Sequence, residues 1–247
     1  IFRSLRTNLQ FMLHEGQKVV LFTSSTSGEG KTFTAANLSV SFGLLGKKVI
    51  LVGLDIRRPR LAELFGINDH KHGITNLLVK EDPTAEELQE QILPSGVNKN
   101  LDLLMAGPIP PNPAELIARK SLETIVNLLK DKYDYIMIDT APVGLVTDTL
   151  QIARIADASV YMCRADYTPK SSFNLINDLA KENKLPNMAV VLNGIDMSKK
   201  KYSYYYGYGK YGRYGKAGYG AGYGQYSTYG NYSKSHYGNK DDHSIKR

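Results

Sequence analysis

Residues 24–33 of the chain read SSTSGEGKTF and follow directly on the apolar run Val19-Val20-Leu21-Phe22. A β-branched and aromatic run that ends in a glycine-rich turn and then Gly-Lys-Thr predicts a strand, a phosphate-holding loop and a helix in succession. Gly28 and Gly30 let backbone N–H groups point inward at phosphate oxygens, and Lys31 adds a point charge for the β- and γ-phosphates. The Thr32 hydroxyl is the expected Mg²⁺ ligand, and the helix opening at Lys31 brings its positive end to the same anion. One position departs from G-x-x-x-x-G-K-[ST]: the first glycine would fall at residue 25, which is Ser25. The expected nucleotide contacts are Ser27, Gly28, Glu29, Gly30, Lys31, Thr32 and Phe33.

The rest of the chain alternates between strand and helix patterns. Residues 1–14 carry Phe2, Leu5, Leu9, Met12 and Leu13 at helical spacing, with Arg3 and Arg6 one turn apart. Strands are predicted at 18–23, 49–52, 101–105, 135–138, 158–163 and 188–192. Helices are predicted at 31–45, from Pro59 to residue 65, and at 73–79, 84–92, 114–119, 121–132, 147–155 and 169–183. The four prolines of AGPIPPNPAEL preclude regular structure until residue 114. This alternation predicts a doubly wound, mostly parallel α/β sheet with helices on both faces, whose ligand sits at the carboxyl ends of the strands. The phosphate loop, Asp55, Asp139 and Asn193 all fall at such ends.

Composition divides the chain into a body and a tail. Up to Ser198 there are 21 Lys and Arg against 22 Asp and Glu, so the body carries about −1 and its charge gives no case for nucleic-acid binding. From Lys199 onward 10 basic residues face only Asp241 and Asp242, so the overall +7 belongs wholly to the last 49 residues. This tail holds thirteen of the seventeen tyrosines: Tyr202, Tyr204, Tyr205, Tyr206, Tyr208, Tyr211, Tyr214, Tyr219, Tyr223, Tyr226, Tyr229, Tyr232 and Tyr237. Gly, Ser and Lys separate them, and between residues 199 and 237 no Leu, Ile, Val, Met or Phe is available to build a core. The composition predicts disorder for 199–247 and a folded domain for 1–198. Cys163 is the only cysteine and lies in an apolar strand pattern, which suits packing in a reducing compartment. No apolar stretch approaches the roughly 18 residues of a membrane span. The chain opens on Ile1 without a Met, so it reads as a piece of a longer protein.

A phosphate loop calls for acidic residues to hold Mg²⁺ and its waters. Asp139, ending the run 135–138, fits that position, as it would also fit a strand-end helix cap. Asp55 ends the second strand in the same way, and equally suits a turn residue before the helix that Pro59 begins. Arg57, Arg58 and Arg60 follow, as phosphate or partner contacts or as a solvated loop. Asn193-Gly194 offers either an amide to an adenine edge or an ordinary turn.

Taken together and in order, the phosphate loop, LDIRRP, MAGPIPPNPAEL, DYIMIDTAP and a terminal tyrosine cluster resemble the cytoplasmic catalytic domain of bacterial tyrosine kinases, the autokinases of polysaccharide export. The resemblance implies a sheet of the P-loop NTPase type, ATP and Mg²⁺ as cofactors with ADP as product, and γ-phosphoryl transfer to the tail tyrosines. Residues 24–33 become its Walker A, 53–57 its Walker A′ and 135–139 its Walker B. Lys31, Asp55 and Asp139 are then the catalytic residues, and Thr32, Asp55 and Asp139 the metal ligands. The family's ExxRxxR helix, which drives ring assembly into an octamer, is matched by Arg3 and Arg6, with the glutamate falling before Ile1. Also implied are a transmembrane activator or membrane domain, a counteracting tyrosine phosphatase, and a place at the cytoplasmic face of the bacterial inner membrane. No specific nucleic acid is expected.

Two departures bear on mechanism. The usual A′ pattern resembles D-x-D-x-R, but Gly53 replaces the first Asp and leaves Asp55 with Arg57. Residue 26, where related partitioning ATPases carry a second lysine, is Thr26. That substitution and the tail argue against the alternative, a partitioning-type ATPase switch that hydrolyses ATP without labelling protein. A third reading makes the Tyr-Gly-Lys tail a nucleic-acid or condensate segment, and leaves the phosphate loop without a use.

Overall fold

The computed structural model describes residues 1–196; the tail, its tyrosines and the domain boundary expected at residue 198 lie outside the described residues. The elements in order are α1 (Phe2–Met12), β1 (Val19–Ser24), α2 (Lys31–Gly43), β2 (Val49–Gly53), α3 (Leu61–Phe65), α4 (Thr75–Leu78), α5 (Ala85–Gln91), β3 (Ile92–Pro94) and β4 (Leu101–Leu104). Then follow α6 (Pro113–Ala118), α7 (Ser121–Lys132), β5 (Tyr135–Asp139), α8 (Asp148–Ile152) with a 3₁₀ turn Ala153–Ile155, β6 (Ala158–Arg164), α9 (Ser172–Lys181) and β7 (Met188–Asn193).

Among the described residues the strands form one sheet in the order β3-β4-β2-β5-β1-β6-β7. Every pairing is parallel except β3 with β4. The central strands are buried on both sides, which is why they read as continuous apolar runs. Alternate residues serve opposite faces. Val20, Phe22, Leu51 and Met137 pack with Leu9 of α1 and Ala35, Leu38 and Phe42 of α2. Val19, Leu21, Ile50 and Ile138 pack with Leu77, Leu116, Leu122, Ile125 and Leu179 from the helices of the other face. The architecture is the expected doubly wound α/β sheet.

One element differs in kind from the expectation. The helix predicted to run through residue 92 stops at Gln91, and Ile92–Pro94 become an antiparallel edge strand with Ile92 opposite Leu104 and Pro94 opposite Asp102. A run of three residues carries no period of its own, and Pro94, lacking an N–H, is tolerated only on an edge. The other differences are at element ends: α3 starts at Leu61 rather than Pro59, and α6 takes Pro113 as its first residue.

Register carries the sheet into function. Phe22 of β1 and Gly53 of β2 both stand opposite Asp139 of β5, so β2 and β5 end at one level and β1 runs two residues further into the phosphate loop. At the far end of β1 the Asp157 carboxylate accepts hydrogen bonds from the N–H groups of Lys18 and Val19, at 2.8 and 2.9 Å. Asp157→Ala leaves both donors without that acceptor, at the entry to the strand that carries the phosphate loop. We expect a loss of about 2 kcal/mol, measured by urea unfolding.

Candidate active site

The phosphate loop takes its shape from two glycines. Gly28 (φ +85°) and Gly30 (φ +97°) occupy the left-handed region, where a side chain is strained. Gly30 precedes α2 and offers it no side-chain cap, so the first-turn N–H groups have no cap from that residue. Ser25 stands where the motif would have glycine, and the loop tolerates it because Ser25 does not lie at positive φ. Its hydroxyl shares a 2.9 Å hydrogen bond with the Tyr161 hydroxyl. Gly144 passes over it so closely that an added Cβ would lie 2.3 Å from the Ser25 carbonyl oxygen.

Glu29, expected to contact nucleotide, turns its side chain into the protein and is fully buried. Its carboxylate accepts from the Thr26 N–H at 2.8 Å and from the Thr168 hydroxyl. Asn193, expected at an adenine edge, donates its amide to the Glu29 carbonyl oxygen at 3.0 Å. Two further side chains, from the end of β6 and the turn after it, reach the same loop. Arg164 donates to the Gly28 carbonyl at 3.1 Å, and the Tyr167 hydroxyl donates to the Ser27 carbonyl at 2.9 Å. Sequence reasoning missed Arg164, Tyr167 and Thr168, which lie more than 130 residues from the loop in the chain and carry no motif.

Two carboxylates flank Lys31. Its Nζ lies 3.7 Å from Asp55 Oδ2 and 3.7 Å from Asp139 Oδ1. Thr32 donates its hydroxyl to Asp139 Oδ2 at 2.8 Å. Asp55 Oδ1 accepts from the Arg58 N–H at 3.0 Å, as a turn residue would, while Oδ2 faces Lys31. Asp139 is 2 % exposed, and its buried Oδ1 has no hydrogen-bond partner. Burial pushes its carboxyl above the usual range, with Lys31 and the Thr32 hydrogen bond opposing. An orphaned carboxylate oxygen beside a hydroxyl and a second carboxylate fits a hard cation such as Mg²⁺, which is held through one or two carboxylates together with substrate phosphates. Phe33, the next residue, lines the cleft and meets Phe2 of α1 edge-on at 6.0 Å.

The arginines separate. Arg57 makes a two-pronged pair with Asp148, at 2.5 Å from Nε and 3.0 Å from Nη2, and this hydrogen bonding raises its already high pKa. Asp148 is 2 % exposed and opens α8; an Asp at a helix start is its only signal in the sequence. Arg60 pairs with Glu63 in solvent. Of the residues matched to ring assembly, Arg3 is exposed, whereas Arg6 turns inward and donates to the Ser41 carbonyl oxygen at 2.6 Å.

A cleft of about 1150 Å³ runs over Ser27, Gly28, Lys31 and Thr32 to Asp55, Arg58 and Arg164. A second, of about 530 Å³, contains Gly53, Asp55, Asp139 and the loop 105–109. Asp55, Arg57, Arg58, Arg60 and Glu63 line both, so the two clefts adjoin at Asp55.

Raising Asp139 above its unfolded value of 3.8 means that the folded chain holds this proton more tightly. That contribution to stability is present below pH 3.8 and is lost as pH rises through the folded pKa. Asp139→Asn removes the loss. Without nucleotide the variant should melt higher than the parent at neutral pH. The gap should close below pH 4, as read by thermal unfolding.

Residues 17–168 match the AAA domain family. The chain is 35% identical over 206 residues to the tyrosine-protein kinase YwqD of Bacillus subtilis, covering 83% of this chain and 84% of that one. EpsB of Ralstonia nicotianae is 34% identical over 84% of this chain, which spans 27% of EpsB. Among solved structures, the kinase domain of the Escherichia coli tyrosine kinase ETK superposes with a TM-score of 0.72 at 26% identity, over 90% of this chain and 79% of that one. The chain thus belongs to the bacterial tyrosine-protein kinases.

Proposed function

We propose that the chain is an autokinase that transfers the γ-phosphoryl group of ATP to tyrosines of residues 199–247. The observation that carries this reading is the pair of carboxylates on Lys31: Asp55 and Asp139, from different strands, each lie 3.7 Å from the ammonium. Phosphoryl transfer asks mainly for positioning and charge neutralisation. Lys31 and the amides of 27–32 would hold the phosphates. Mg²⁺, held by Thr32, Asp55 and Asp139, supplies further neutralisation when bound. Asp55 is the carboxylate exposed to both clefts, and it would orient the acceptor phenol and take its proton. Gly53 leaves that task to Asp55. A Cβ at residue 53 would stand 3.4 Å from the Ala106 nitrogen, so the backbone there sits close to the neighbouring loop.

Residues 1–198 then form the catalytic domain and 199–247 its substrate tail. The tail's +8 would be cancelled by about four or five phosphates of −1.5 to −2 each. Transfer between subunits of a ring, with Arg3 at the subunit contact, follows the family resemblance, as do a role in capsular or exopolysaccharide export and reversal by a tyrosine phosphatase. No helix among the described residues is long and apolar enough to cross a membrane. The greater length of EpsB supports a membrane-spanning part or partner outside residues 1–247.

Incubation with Mg²⁺ and ATP labelled in the γ-phosphate, followed by peptide mapping, tests the reading. Label should appear on tail tyrosines and fall by a factor on the order of 100 or more in Lys31→Met. Free phosphate without protein label would instead support the ATPase switch and overturn the kinase reading.

A further inference from the structure

The body contains tyrosines of its own, and they differ sharply in setting. Tyr161 is fully buried, and burial pushes its hydroxyl up to about 12. Tyr133 is buried and donates to Asp102 at 2.8 Å, and Tyr135 is half-buried against Phe42 with ring centroids 4.2 Å apart. Tyr167 alone among the described residues has an exposed phenol, at 50 %.

Its position is unusual for an exposed side chain. The hydroxyl donates to the Ser27 carbonyl, and the ring lies directly on Gly28: a Cβ there would sit 2.9 Å from Tyr167 Oη and 3.3 Å from Cζ. Arg164 stacks its guanidinium 5.1 Å from the ring centroid and donates to the Gly28 carbonyl. The turn 164–168, tightened by Asp166 at φ +58°, therefore straps two consecutive carbonyls of the phosphate loop. Tyr167 lines neither cleft, so the carboxylates of its own chain are not presented to it.

We propose that Tyr167 is a phosphoacceptor for a second copy of this chain, and that its modification releases the strap and weakens nucleotide binding. The proposal rests on the kinase reading above. In the step, Tyr167 Oη bonds to the γ-phosphorus of ATP held by the other copy, and the bond from that phosphorus to the β–γ bridging oxygen breaks. ADP leaves with the electron pair, and the phenolic proton passes to a carboxylate of the donor cleft. The product has no hydrogen to give Ser27, and it sets about −1.5 to −2 charges against a carbonyl oxygen. Arg164, already on the ring, is the nearest cation and would exchange a neutral carbonyl for a phosphate, the stronger partner. Both strap contacts are then lost, and the loop amides that hold ATP lose their restraint.

The test mixes the parent chain with an isotopically heavy Lys31→Met chain, ATP and Mg²⁺, and maps phosphotyrosine on each by mass spectrometry. Phosphate at Tyr167 of the heavy chain is the expected result. Label on tail tyrosines with none at Tyr167 sinks this proposal and leaves the kinase reading standing, whereas no label on either chain sinks the kinase reading itself. A second arm installs phosphotyrosine at residue 167 during synthesis and titrates a fluorescent ADP. Its Kd should rise at least tenfold and return on phosphatase treatment, while Tyr167→Phe, which loses only the neutral hydrogen bond, should shift it about fivefold or less. An unchanged Kd for the phosphorylated chain also overturns the proposal.

Discussion

Lys31 stands between carboxylates delivered by two different strands, and the geometry of the active site follows from that contact. Its ammonium lies 3.7 Å from Asp55 and from Asp139, too far for a short ion pair with either. The arrangement requires β1, β2 and β5 to be in register at their carboxyl ends, which the parallel alignment of Phe22, Gly53 and Asp139 provides. It also requires Asp139 to lie deep in the sheet, where ionisation is opposed by burial and favoured by Lys31 and Thr32. A buried carboxylate with one unpartnered oxygen is a stability cost that a fold retains where charge is to be handled.

Around this centre the phosphate loop is held by side chains that bond to its own backbone and to its neighbours. Glu29 ties the loop to its own Thr26 and to Thr168, Asn193 ties it to the end of β7, and Arg164 and Tyr167 hold its carbonyls. The three bonds to the carbonyls of Ser27, Gly28 and Glu29 each fix a peptide plane whose opposite edge is an N–H. A loop that binds phosphate through backbone amides gains from such restraint, because the donors then need little reorganisation when the anion arrives. On the other side of the cleft, Arg57 and Asp148 join the turn after β2 to the start of α8, so the element carrying Asp55 is also braced.

Much of this is legible in the order of residues alone. The apolar runs of β1, β2, β5 and β6 announce a parallel sheet, and the residues directly after three of them name the site. Legibility fails where a contact is not local. Residue 92 closes the predicted helix and 93–94 carry no pattern on paper, because three residues contain no periodicity, and the pairing of 92–94 with β4 is a contact with a strand still to come in the chain. Motif position puts Asn193 and Glu29 beside the nucleotide because it says which backbone lies near the phosphate, and nothing about where a side chain turns. The family resemblance gives Arg6 a role between subunits, yet the face of α1 that carries it packs on α2.

What the amino-acid sequence determined by itself was local: a strand, a glycine turn at positive φ, a lysine and a hydroxyl in fixed order, and acids at the ends of two further strands. These follow from steric and periodic rules that act within a few residues. Only the tertiary structure decided that both acids share one ammonium, that Arg57 belongs to Asp148, and that Tyr167 lies on Gly28. Those pairings join segments from 24 to 139 residues apart, and strand order and register set them. Neither can be read from the segments taken singly, because one run of buried β-branched residues suits any central position in the sheet.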